Sequence, residues 1–237
     1  MNSISIILMI ILLPAASFAA KTFTLKADLN SDKITETITV TTIDEGKDSY
    51  ILRVGKLSIR GHVFEKVDEV KIVDIDKNDK FKEIQVAAYG PSDDFNSDIY
   101  YYDGYSIKKM GSTAGFTYSG DGILYDKNWM GFWLKTEKVV LVKQSHMLKW
   151  IKQPFYNVGK KTFVNSSLNI YQETDCKHVL AKLGVKSKID IILASIPSLE
   201  NGKDPYYKIV YLVKTEKGLL GWINYDSLKS LELNWAD

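Results

Sequence analysis

DLNSDKITETITV, running from Asp28 to Val40, and DIDKNDKFKEIQVA, running from Asp74 to Ala87, are two versions of one pattern. Each places oxygen-bearing side chains at alternate positions, then a Glu (Glu36, Glu83), then the alternating tail of a strand. A chain curling round a hard cation turns every second residue inward, and such a cation takes about 6–8 oxygens at ~2.3–2.6 Å. Recurrence of the pattern, each time ahead of a strand, marks a repeated structural unit.

Outward from these loops the chain reads as short strands with period-2 alternation, rich in Val, Ile, Thr and Tyr. KTFTLKADL, TETITVTTI, SYILRVGKLSI, VDEVKIVDI, KEIQVAAY and SDIYYYDG follow one another. Turn signals separate them at Asp44-Glu45-Gly46, Gly90-Pro91-Ser92-Asp93-Asp94, Asp103-Gly104 and Gly120-Asp121-Gly122. The fold class is therefore all-β. One short helix is expected over Asp175 to Gly184, ended by the glycine. QSHMLKWIKQPFYNVGK breaks the strand rhythm and contains Pro154, which sets a boundary near Phe155. The expected organisation is a signal segment at 1–19, a β-repeat domain at 20–150 and a small β-domain at 156–237 able to fold alone.

In the first loop Asp28, Asn30 and Asp32, the carbonyl of Ile34 and Glu36 supply the number and order of oxygens that calcium requires. In the second, Asp74, Asp76 and Asn78 fit, and Asp79 and Glu83 serve if the loop is one residue longer, although Lys80 and Lys82 fall at alternate positions. The alternative is that these short polar side chains hold turns by bonding their own backbone. The spacing resembles the calcium-binding loops of FG-GAP and VCBS repeats, with Lys33 standing where that family has glycine. GSTAGFTYSGDGIL resembles the opening of a third unit. The resemblance covers residues 21 to about 145 and implies either an incomplete β-propeller-like region, since propellers close with about 4–8 blades, or repeats arranged as a compact β-domain. It also implies calcium as a cofactor.

The C-terminal stretch carries a second resemblance. LNIYQETDCKHVLAKLGVKSKIDIIL followed by YYKIVYLVKTEKGLLGWINYDSL is similar to bacterial SH3-like domains, most specifically at Gly218-Leu-Leu-Gly-Trp-Ile223. It implies a small barrel with a turn at Gly221 and Trp222 at one end. It also implies a peptide or cell-wall ligand on an aromatic groove drawn from Tyr171, Tyr206, Tyr207 and Trp222. The alternative for these rings is core packing. NWMGFWLK, the stretch around Trp129 and Trp133, reads either as a sugar platform or interface or as core.

The first twenty residues, MNSISIILMIILLPAASFAA, read as a secretory signal cleaved after Ala19. The apolar run is shorter than the ~20 residues of a spanning helix, so no transmembrane segment is expected after cleavage. With 31 basic and 29 acidic residues the net charge is +2, without the clustered basic face of a nucleic-acid binder. One cysteine, Cys176, excludes an internal disulfide, and export without disulfides fits a bacterial protein. His62, His146 and His178 form no zinc-ligand pair, and no nucleophile elbow, phosphate loop or dinucleotide fingerprint occurs. The expectation is an exported, periplasmic or extracellular binding protein without enzymatic activity. The rivals are a secreted hydrolase or its accessory with the acidic loops, Asp93-Asp94 included, in a cleft, and a structural protein that oligomerises.

Overall fold

A computed structural model describes residues 20–45, 48–64, 66–90, 95–197 and 206–235. The signal segment, the Gly46 turn, Asp93-Asp94 and most of the loop holding Gly202 and Pro205 lie outside them. The chain is all-β and antiparallel throughout. A first four-stranded meander comprises β1 (Thr22–Ala27), β2 (Glu36–Glu45), β3 (Asp48–Val54) and β4 (Leu57–Gly61). A second comprises β5 (Glu69–Val73), β6 (Glu83–Tyr89), β7 (Phe95–Tyr102) and β8 (Ile107–Thr113). A third comprises β9 (Phe116–Tyr118), β10 (Ile123–Trp129), β11 (Leu134–Val142) and β12 (Met147–Ile151).

Alternation stacks the three sheets. On β7, Tyr100 and Tyr102 join the core shared with the first sheet, which includes Leu52 and Val54. Their neighbours Ile99 and Tyr101 join the core shared with the third, which includes Leu124 and Val139. A strand buried on both faces reads as a continuous apolar run, because successive side chains leave it in opposite directions. Between the first two sheets the buried Asp98 is held by the Tyr50 hydroxyl at 2.7 Å and Lys109 Nζ at 2.6 Å. Here Gly61 is obligatory, since a Cβ would sit 2.3 Å from the Tyr50 hydroxyl.

The C-terminal sheet has the order β13-β16-β17-β18-β14-β15. Its strands are β13 (Tyr156–Phe163), β14 (Leu168–Tyr171), β15 (Val179–Leu183), β16 (Lys188–Ser195), β17 (Val210–Thr215) and β18 (Leu220–Asn224). Among the described residues its hydrogen bonding does not close, so the expected small barrel is an open six-stranded sheet. The helix expected over Asp175 to Gly184 is instead a turn followed by β15. Leu183 pairs with Leu168 and Ala181 with Ile170 across a hairpin, and partnered edges outweigh a short helix's weak propensity. Gly221 is not a turn residue but lies within β18, where a Cβ would meet Tyr171 O at 3.1 Å and Ile170 Cβ at 3.2 Å. The glycine serves a close strand approach.

The core of this sheet is not built from its own strands alone. Met130, Phe132 and Trp133, from the turn between β10 and β11, are buried with Ile170, Ile191, Tyr211 and Ile223. Phe132 packs on Tyr211 at 5.8 Å and on Trp235 at 5.3 Å between ring centroids.

Candidate functional site

The acidic loops join the first and second strands of each meander, at 28–35, 74–82 and 119–122. In the first, Asp28 accepts from Lys33 N at 3.0 Å, Asn30 from Asp32 N at 3.2 Å and Asp32 from Ile34 N at 2.7 Å. Ser31 and Lys33 take φ of 59° and 72°. Lys33 thus adopts the left-handed backbone that glycine takes most readily, a conformation with a steric cost for a side chain. The Ile34 side chain is 65% exposed. The second loop repeats the scheme, with Asp76 accepting from Asn78 N at 3.1 Å and Asp79 from Phe81 N at 2.8 Å. In the third, Asp121 accepts from Ile123 N at 3.1 Å.

The two glutamates hold equivalent places. Glu36 accepts from Leu29 N and Glu83 from Ile75 N, each at 3.0 Å, and Leu29 and Ile75 are fully buried. The extra residue of the second loop is therefore absorbed before its glutamate. Burial, then repulsion from Asp79 and Asp74, raises the Glu83 carboxyl to about 7. Neighbouring loops also join. Ser31 Oγ donates to Lys80 O, Lys82 N to Leu29 O, Lys77 N to Gly120 O and Gly122 N to Ile75 O.

The loops differ at their third position. Asn30 is neutral, whereas Asp76 is a fully buried carboxylate with Lys143 Nζ 2.6 Å away. That ammonium, reaching in from the turn between β11 and β12, holds the Asp76 carboxyl below its ordinary range. Among the described residues, one oxygen of Asp28 and one of Asp74 are buried without a hydrogen-bond partner. Among the described residues no group of three or more His, Cys, Asp and Glu side chains is placed to hold a metal. Sequence spacing carried no signal for Lys143, because its pairing depends on how two meanders stack.

Of the four aromatic candidates, Tyr171 and Trp222 are direct partners across β14 and β18, both half-buried. Cross-strand partners lie on one face. Tyr207 sits on a separate 3-10 turn, Tyr206–Lys208, and is 64% exposed, while the Tyr206 side chain lies outside the described residues. Phe155 stands 6.3 Å from Trp222 and is half exposed, an extension that the sequence reading did not include. The NWMGFWLK run divides, Trp129 being 39% exposed and Trp133 1%. Among the described residues the indole N–H of Trp133 has no acceptor.

His146 stacks on Tyr101 at 4.0 Å and serves packing. Burial pushes the Cys176 thiol up, away from the thiolate a nucleophile needs. No helix among the described residues is long and apolar enough to cross a membrane. No family model matches the chain, and comparison with curated proteins and with solved structures found no match.

Proposed function

We propose that this chain is an exported, non-enzymatic binding protein of the bacterial envelope. In this reading an incomplete FG-GAP/VCBS-like propeller region carries an SH3-like domain that engages a cell-wall or peptide ligand. The observation that carries the binding role is the aromatic face of the C-terminal sheet, where Tyr171 and Trp222 lie side by side and Phe155 extends the row. Half-exposed rings grouped on one face are the usual mark of an interaction surface. Three successive meanders, each with its acidic loop between first and second strands, support the repeat reading.

Calcium belongs in this proposal at the first loop, where Asp28 has an unpartnered oxygen and Asn30, Asp32, the Ile34 carbonyl and Glu36 stand nearby in sequence. At the second loop the Lys143 ammonium already supplies positive charge to Asp76. Calcium that binds only the folded chain raises its thermal midpoint. The expected result is a rise that Asp32→Ala removes and Asp79→Ala leaves largely intact. Identical melts with calcium and with chelator would reduce the loop to a turn.

The binding role is tested by retention of the full chain on purified peptidoglycan. Wild-type protein is expected to be retained, and Tyr171→Ala, on the face shared with Trp222, to weaken retention more than it lowers the melting temperature. Wild-type protein that passes through unretained overturns the envelope reading.

A further inference from the structure

Where the third meander meets the C-terminal sheet the chain encloses a cleft of about 660 Å³, inside the ~300–1,000 Å³ range of small-molecule sites. One wall is the outer face of β10 and β11, carrying Tyr125, Trp129 and Leu134. Trp129 and Leu134 are direct partners across the two strands. Phe155, on the segment leading into β13, belongs to the opposite wall. Tyr125, Trp129 and Phe155 are 45%, 39% and 50% exposed, so three large rings are left to water around one concavity. Core packing does not account for them.

The polar lining is equally selective. Thr136, Gln153 and Asn157 contribute a hydroxyl and two amides, and Lys160 contributes the single charge. Asn157 and Lys160 flank a β-bulge, with Gly159 between them at φ 63°. A bulge re-aims side chains and interrupts the ladder of its strand. Since β13 is the edge of its sheet, the bulge also blocks addition of a peptide strand there. Gln153 donates to the Thr136 carbonyl at 3.1 Å, tying the segment before β13 to β11.

Flat rings combined with neutral amides and a hydroxyl match one ligand chemistry. A pyranose has an apolar C–H face that covers an aromatic ring and a rim of hydroxyls that amide and hydroxyl side chains bond. A lipid chain has no use for the amides, and a protein partner needs ~800 Å² on each side, far more than a concavity of this kind offers. Among the described residues no Asp, Glu, His or Cys lines the cleft, whereas glycoside hydrolysis needs a pair of carboxyl groups. We infer that the cleft is a carbohydrate-binding site, taking a short oligosaccharide with its rings against Trp129, Tyr125 and Phe155. The inference deepens the envelope-binding reading by naming a ligand class; it rests on Tyr125 and Trp129 and shares Phe155 with the face of Tyr171 and Trp222.

The test is titration of the full chain with chitotetraose and cellotetraose, read by calorimetry and by tryptophan fluorescence. Saturable binding of at least one sugar is expected. Trp129→Ala should weaken it about tenfold, the share of one ring contact, and Asn157→Ala by a smaller factor. Tyr171→Ala, outside the cleft, should leave sugar affinity unchanged even where it lowers retention on peptidoglycan, which separates the two proposals. Phe155→Ala, on the other wall, repeats the test should Trp129→Ala fail to fold. Absence of binding at millimolar sugar, or undiminished binding in both ring variants, overturns the inference. So does a proline-rich peptide that occupies the cleft while the sugars do not.

Discussion

Asp76 lies in the second loop and Glu83 opens the strand that follows it, and their carboxyl groups are perturbed in opposite directions. Burial raises Glu83 from 4.5 to about 7, whereas the bond from Lys143 lowers Asp76. A carboxyl whose folded value exceeds its unfolded one stabilises the fold when protonated. Its contribution is complete below 4.5 and is lost as pH rises through about 7. The loss amounts to at most about 3 kcal/mol. Glu83→Gln keeps an oxygen for Ile75 N and cannot ionise, so its urea midpoint should fall less than wild type's between pH 5 and pH 8. Parallel curves for the two proteins would show that Glu83 does not titrate there. Asp76 behaves inversely, adding stability above its unfolded value that is lost in acid. Lys143→Met strands a buried carboxylate and should lower the melting temperature by several degrees. Adding Asp76→Asn should restore much of that loss, because the uncompensated charge disappears with it. A double variant no more stable than Lys143→Met would mean that the lysine contributes through packing alone.

At the scale of elements, the turn between β10 and β11 matters most, because it buries its tip in the neighbouring sheet. Phe132 is 2% exposed, and Gly131 at φ 89° lies so close to Trp235 that a Cβ would approach its ring to 2.7 Å. Phe132→Ala should cost about 3–5 kcal/mol, the range for a buried aromatic, measured by urea unfolding. A cost typical of surface positions would show that the turn only rests on the sheet. The strands around this turn were legible in sequence, because alternation in TETITVTTI and the apolar run in KEIQVAAY are local consequences of facing one core or two. The loop repeat was legible for the same reason, since its Asx-type bonds span two residues. Three features were not legible. Val179, Leu180 and Leu183 have a helix-like spacing, yet β14 claims them as a hairpin partner. The sequence reading of NWMGFWLK left platform and core as competing accounts, and the turn splits the run between water and interior. Lys143 and Asp76 meet only because two meanders stack, which no local pattern encodes.

Across the whole molecule the cores form a chain of shared interiors, one between the first and second sheets, one between the second and third, and one between the β10–β11 turn and the last sheet. The final joint is polar as well as apolar. Tyr156 donates to Glu137 at 3.3 Å, and the same glutamate pairs with Lys135 at 2.8 Å. A piece comprising residues 156–237 retains its six strands but loses Met130, Phe132 and Trp133 from its core. Small domains have little apolar burial to spare, and each missing side chain leaves a cavity whose cost adds to its lost burial. The piece 116–237, which restores the third meander, should therefore melt cooperatively and well above 156–237. Amide exchange should show the strands around Ile191 and Tyr211 protected in the longer piece and much less protected in the shorter. If 156–237 melts as high as 116–237, the buried turn contributes no net stability and the C-terminal sheet is an autonomous module. If both melt low, the second meander is also required, and stability is shared along the whole series of sheets.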